Sequence, residues 1–316
     1  MLKLTSPVLA AFLFLCLPAI AATPAQDLLN AGRVDDAITL LNTHVSANPD
    51  DAPALNELCR AHFAYEDWDR AEPYCQKAAS LDPNNSRFHR WLGRVYGERA
   101  SRKTIPLSLA RKTRDEFQRA AQLDPHDPYA GVDVAEYYIE APGFMGGGEE
   151  RAREQAKTVG KISPAKEHWV YARLAEKNKD FATAEREYHQ MIVDGEGGAE
   201  AWLNLAFFYR NQKRFDDMEQ AIVKMSQSAM PEREDLFEGA QLLYRNGRAF
   251  SFAEELLKRY LQQPVEEAPA FKVHNLLGIL YEKRGDKTGA AAEYQAALAL
   301  ARNYRPAQEG LRRVAP

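Results

Sequence analysis

Three arginines, Arg87, Arg90 and Arg94, stand three and four residues apart, the spacing that gathers side chains on one face of an α-helix. They belong to a basic stretch. Residues 86–120 hold ten basic side chains (Arg87, Arg90, Arg94, Arg99, Arg102, Lys103, Arg111, Lys112, Arg114, Arg119) against Glu98, Asp115 and Glu116, a local charge of +7 in a chain of net charge −4. The remainder therefore carries −11. Guanidinium forks bind carboxylates and phosphates through paired N–H donors. The same face can instead be solvated, or answered by acidic neighbours. Catalytic chemistry has little to build on: there is no HExxH, no GxSxG, no P-loop or Rossmann glycine pattern, and no pair of His or Cys at metal-ligand spacing. The seven histidines are scattered. Residues 140–148 form a loop rich in Gly and Pro, but a phosphate cradle there would need a following Lys-Ser/Thr or a preceding strand, and neither is present. The loop reads as a wide turn. The sequence predicts no enzyme, no cofactor and no metal.

The elements that must position the arginines are set by the rest of the chain. Its 316 residues are 45% hydrophobic and 27% charged, enough apolar material for a core. A balanced charge, with pI near 6.0, gives no overall bias toward nucleic acid or membrane. The first residues differ from the rest. Lys3 precedes an apolar run over 8–17, broken only by Cys16, then Pro18 and the small-residue site Ala19-Ile20-Ala21. That order is a secretory signal cut after Ala21, with Ala22 the alternative, and the run is too short to span a bilayer. Phe14 and Leu15 before Cys16 are too large for a lipid-attachment site. The mature chain, 22–316, is expected in the periplasm of a Gram-negative bacterium or, alternatively, secreted.

Beyond the signal the chain repeats with a period of 34. Ala37 and Ala71 are one period apart, as are Pro49 and Pro83, and a Leu-Asp-Pro ending at Pro83 recurs at Pro125, with Ile-Ser-Pro164 a weaker copy. The pattern Trp202-x2-Leu205-Ala206-x2-Tyr209 returns as His274-x2-Leu277-Gly278-x2-Tyr281, followed by Ala290, Tyr294 and Ala297; Leu92-Gly93-x2-Tyr96 is another copy. These residues resemble the tetratricopeptide repeat (TPR) pattern, in which a small residue lets the second helix of a pair approach the first. Turn residues at Gly32-Arg33, Lys179-Asp180, Gly247-Arg248 and Gly285-Asp286 fall between the helices. The resemblance implies an all-α, right-handed α-solenoid of about eight helix pairs with a C-terminal capping helix. The units run near 24–51, 52–85, 86–127, 128–164, 165–198, 199–233, 234–270 and 271–304, with the cap over 305–316. The spacing from Pro83 to Pro125 exceeds the period by eight residues and that from Pro125 to Pro164 by five. This predicts insertions around residues 99–108 and at 140–148.

The resemblance also assigns a groove, lined by the first helix of each pair at positions two, five, nine, twelve and thirteen. Unit two contributes Asn56, Arg60 and Phe63, and unit three Arg87, Arg90 and Arg94. Units four and five contribute Tyr129, Val132, Glu136, Lys166, Trp169 and Arg173. Phe207, Arg210 and Asn211 follow in unit six, Arg245 and Asn246 in unit seven. The family's carboxylate-gripping set of Lys and Asn is matched only at Asn56. The register places Cys59 and Cys75, at positions eight and twenty-four of unit two, face to face across a helix pair, which implies a disulfide; two small buried thiols are the alternative. His89, His168 and His274 all fall at position four and read as packing residues. The expected function is a scaffold or adaptor holding a protein partner, acidic in its contacting segment. An anionic polysaccharide or cell-wall polymer is the alternative ligand; nucleic acid and a membrane span are not expected. In unfolded, unreduced protein Cys59 and Cys75 should take up no alkylating reagent, and reduction should expose both; two alkylated thiols before reduction would exclude the bond.

Overall fold

The fold, taken from a computed structural model, is described for residues 23–101, 107–228, 233–266 and 268–315. The expected export signal lies outside these residues. Helices begin where the sequence can cap them: the side chains of Thr23, Asp51, Asp67, Asp127, Ser163, Asp180 and Asp286 each accept a hydrogen bond from a backbone N–H in the first turn that follows. Pro24, Pro53, Pro128 and Pro164 occupy first-turn positions where no backbone donor is lost. The result is a series of antiparallel pairs: α1 (Pro24–Asn30) with α2 (Val34–Ala47), α3 (Ala52–Ala64) with α4 (Trp68–Leu81), α5 (Ser86–Ala100) with α6 (Leu107–Leu123), and α7 (Pro128–Glu140) with α8 (Glu149–Gly160). Four more follow: α9 (Pro164–Lys177) with α10 (Phe181–Asp194), α11 (Ala199–Asn211) with α12 (Phe215–Gln227), α13 (Arg233–Arg245) with α14 (Phe250–Tyr260), and α15 (Ala270–Lys283) with α16 (Lys287–Leu300). A last helix, α17 (Arg305–Val314), covers the end. No strand occurs among the described residues. The tight turn inside six of the pairs carries a positive φ, on Gly32, Gly247 and Gly285 but also on Glu66, Lys179 and Lys213.

Within a pair, a small residue on the first helix faces a large one on the second. A Cβ added to Gly93 would lie 2.5 Å from the Phe117 ring, and one added to Gly278 would lie 2.7 Å from Tyr294. In the second pair the same contact is covalent: Cys59 and Cys75 form a disulfide, with Cα atoms 5.3 Å apart. The histidines at position four also bridge the pair, each ring meeting a glutamate of the second helix: His89 with Glu116 at 2.6 Å, His168 with Glu187 at 2.7 Å and His274 with Glu293 at 2.7 Å. Between units, the position-eleven tyrosines reach back to the previous second helix. Tyr209 donates to Glu185 at 2.9 Å and Tyr281 to Glu254 at 3.0 Å, while Tyr96 accepts from Gln76 at 2.9 Å and Tyr138 from Gln118 at 2.6 Å.

The two insertions take different forms. In unit three much of the added length is helix, since α5 runs to Ala100 and α6 extends over 17 residues; residues 102–106 lie outside the described residues. In unit four the wide turn contains one 3-10 turn, Gly143–Met145, and is tied to the pair by Tyr137, whose hydroxyl donates to the Met145 carbonyl at 2.8 Å. Arg151 donates to the Gly146 carbonyl. A Cβ on Gly147 would collide with the Ala141 carbonyl at 1.8 Å, so only glycine fits there.

The two ends of the solenoid meet. One apolar cluster joins Leu29, Val34, Ala37, Ala61 and Ala64 of the first two units to Phe271, Tyr281 and Tyr294 of the eighth. A Cβ on Gly32 would lie 2.7 Å from the backbone nitrogen of Ala270. Tyr65 packs on Phe271 with ring centroids 5.8 Å apart, and Phe271 on Tyr304 at 4.9 Å. Polar contacts surround the rings: Lys272 with Glu66 at 2.7 Å, and Asp35 accepting from the Arg302 backbone at 2.8 Å. Substituting Gly93→Val or Gly278→Val should destabilise the protein by about 1–3 kcal/mol through overpacking, read as a lower denaturant midpoint; an unchanged midpoint for both would contradict the packing described.

Candidate protein-binding face

First helices of successive units pack on one another, as α3 on α5, α7 on α9 and α11 on α13. They therefore line the inner side of the curve, and the side chains assigned to the groove, Asn246 apart, stand on these helices. A series of cations over aromatic rings runs along it. The Arg94 guanidinium lies 4.2 Å from the Trp91 ring and 5.1 Å from Phe63. Tyr129 is flanked by Arg90 at 5.5 Å and Lys166 at 4.1 Å. Farther along, Arg173 lies 5.9 Å from Trp169 and Arg210 lies 5.7 Å from Phe207. Such stacks hold the guanidinium plane in place and leave N–H edges for a ligand.

Part of the basic excess of residues 86–120 is answered in space, by acids that meet Arg90 and Arg99, the latter beside Asp69 at 3.1 Å. Arg90 Nε donates to Asp133 of the next unit at 2.6 Å, with Asp127 3.8 Å away. Arg173 reaches back to Glu140 at 2.9 Å and along its own helix to Glu176 at 3.5 Å; Lys166 pairs with Glu200. Trp169 donates to Asn204 at 2.9 Å, and Asn211 to Glu176 at 3.2 Å. Arg90, Lys166 and Arg173 are thus each held by an acid of a neighbouring unit. Asp133, which the sequence reading passed over, is the acid that fixes Arg90; burial pushes its carboxyl up from the ordinary range and Arg90 opposes the shift. Burial likewise raises Glu136, with Arg173 opposing, and Glu238, with Arg245 and Lys272 opposing. Between α5, α6 and α7 lies a cavity of about 460 Å³ whose wall includes Arg94, Glu98, Phe117, Asp133, Glu136 and Tyr137.

The remaining assigned residues divide sharply. Arg87 and Arg245 are exposed. Arg210 has its Nε buried without a hydrogen-bond partner, as is Oδ1 of Asn56, a residue only 2% exposed. Asn246 donates to the Leu242 carbonyl at 2.7 Å and finishes its helix rather than facing a ligand. Arg60 is 3% exposed and its fork is engaged by Glu266, so it is closed to solvent in this state. Sequence reasoning found Arg60 but had no signal for Glu266, 206 positions away. Beside this pair Glu57 is buried and accepts from Thr23 at 2.8 Å.

A stack of helix pairs with small-to-large contacts, a left-handed turn residue and first helices packed on one another defines a helical-repeat solenoid. The tetratricopeptide repeat model matches residues 25–86 and 237–305. Among relatives, the mouse (Mus musculus) Superkiller complex protein 3 is 25% identical over 295 residues, covering 90% of this chain and 18% of that protein's length. The crystal structure of yeast Tom70 superposes over 93% of this chain and 64% of its own, with TM-score 0.53 and 14% identity, a likeness of fold alone. A tetratricopeptide repeat protein from Parabacteroides merdae covers 92% of this chain and 96% of its own, at TM-score 0.46 and 13% identity. This chain spans less than two thirds of the first two proteins. Among the described residues no helix is long and apolar enough to cross a membrane.

Glu57 supplies a pH test of the inner face. Its carboxyl is raised first by burial and further by Glu266, against the hydrogen bond from Thr23 and the charge of Arg60. A raised folded value means the native state binds the proton more tightly than the unfolded chain. The associated stability is complete below about pH 4, near the ordinary Glu value, and is lost as pH rises through the raised one. Glu57→Gln, which keeps an acceptor for Thr23, should raise the melting midpoint at neutral pH and change it little in acid; a midpoint lowered equally at both would contradict the assignment.

Proposed function

We propose that the protein is an exported scaffold that holds a partner protein along its inner face, gripping an acidic, extended segment of that partner. The observation that carries this reading is the run of cation–aromatic contacts across units two to six: Phe63, Trp91 and Arg94, then Arg90, Tyr129 and Lys166, then Trp169 with Arg173, then Phe207 with Arg210. Aromatic and arginine side chains are the usual anchors of protein interfaces. Cations beside rings can turn N–H donors to carboxylates and to peptide carbonyls, and the rings offer apolar area to side chains between them. The acids that answer these cations also favour a partner able to replace them, one that carries its own carboxylates. Folded repeat arrays of this kind bind by surface side chains, so specificity follows from these residues and not from the fold.

Export is supported by two independent features, the order of charge, apolar run and small residues over 1–21 and the Cys59–Cys75 disulfide, a bond that persists in oxidising compartments. A periplasmic site fits both.

Crosslinking in the cell envelope, with the native chain and an Arg87→Glu/Arg94→Glu variant compared by mass spectrometry, tests the reading; Arg90 is left intact because it ties units three and four together. A protein retained by the native chain and lost by the variant, and competed away by an acidic peptide, is the expected result. Competition by an anionic polysaccharide and not by the peptide would replace the protein partner with a polymer, and equal retention by both forms would remove the inner face from recognition.

A further inference from the structure

The connection between α14 and α15 is nine residues long, where four join α4 to α5. It is drawn into a compact strap by Tyr260, whose hydroxyl accepts from the Val265 N–H at 2.8 Å and lies against the carbonyls of Val265 and Ala268. Tyr260 is fully buried, so the strap's path is fixed from within. That path delivers Glu266 to unit two. Arg60 Nε donates to one carboxylate oxygen at 2.7 Å and a terminal guanidinium nitrogen donates to the other, while Gln26 of α1 donates to the second oxygen at 2.8 Å. Trp91 of α5 forms the wall, 5.5 Å from the guanidinium.

Three units thus converge on one carboxylate with a bidentate fork, a neutral amide donor and an aromatic surface. This is the donor set that a peptide carboxylate requires. We propose that the Arg60 seat is a carboxylate-binding site of the inner face that the chain occupies with its own Glu266. The strap is a built-in competitor: an acidic side chain of the partner takes the seat only by displacing Glu266, and the displacement releases the eighth unit from the first two. This rests on the acidic-partner reading above. The strap's occupancy lowers the apparent affinity of any competing carboxylate by the fraction of time the seat is open.

The test uses the full mature chain, a fluorescein-labelled octaglutamate peptide and fluorescence anisotropy, with small-angle scattering run in parallel. Glu266→Gln should bind the peptide at least about tenfold more tightly than the native chain, a change of about 1.4 kcal/mol, and should show a larger radius of gyration. Adding Arg60→Gln should abolish the gain. Tyr260→Phe, which removes the hydroxyl that holds the strap and leaves every donor of the seat in place, should give a smaller gain in the same direction and serves if Glu266→Gln folds poorly. Native chain and Glu266→Gln binding equally would overturn the competitor while leaving the acidic-partner reading intact. No binding by any form would overturn both, and leave Arg60–Glu266 as a structural ion pair.

Discussion

Arg60 is a permanent cation with almost no access to water, and the free energy of withdrawing such a charge has to be offset inside the protein. Within its own unit the offset is incomplete. Glu57 is one turn away on the same helix, but its carboxyl is engaged by Thr23 and raised by burial, so it answers the guanidinium only in part. Glu266 completes the offset. Because Glu266 belongs to the connection between the seventh and eighth units, satisfying Arg60 requires the last units to lie against the first. The apolar contacts of Tyr65, Phe271 and Tyr304 then form around that point. A solenoid whose ends meet has a smaller inner face than an open one, and access to that face becomes conditional.

The same logic, in a milder form, sets the rest of the inner face. Away from the junction of its ends, a repeat array is held by contacts between neighbours, so each interface has to carry its own apolar packing and its own charge balance. Packing is supplied by the small-to-large contact within pairs and by the tyrosines that reach back between them. Charge balance is supplied by Arg90 with Asp133, Lys166 with Glu200 and Arg173 with Glu140. These pairs couple stability to recognition, since the side chains that a partner would touch are those that hold successive units in register. In unit two the disulfide fixes α3 against α4. The helix that presents Arg60 is thereby covalently anchored to its partner.

Much of this could be read from the sequence. Features local to one unit follow from the repeat register: Gly93 and Gly278 at the close approach, Cys59 opposite Cys75, the histidines at position four, the prolines between pairs. Period and register are enough to place them. What the sequence could not supply was the pairing between units. Asp133 stands one place beyond the positions counted as groove, and its role appears only when α5 and α7 are side by side. Counting charges over 86–120 found the basic excess and left open whether acidic neighbours answer it, as Asp133 does for Arg90. Arg60 was legible as a groove residue, but Glu266 sits in an irregular connection with no period, and no pattern along the chain brings those two together. Asn246 shows the opposite failure: it has the right register and serves the end of its own helix.

The closure of the ends around Arg60 and Glu266 is the claim on which the account turns, and it can be examined without a partner. Glu66 and Lys272 face each other across the junction from opposite ends of the chain, 2.7 Å apart. Placing Glu66→Cys and Lys272→Cys in the oxidised protein and treating it with a short bismaleimide should give a rapid intramolecular crosslink in the monomer, and adding Glu266→Gln should slow it. Monomer that stays unlinked, or crosslinks that form only between molecules, would mean that the ends stand apart and that Arg60 is answered in some other way.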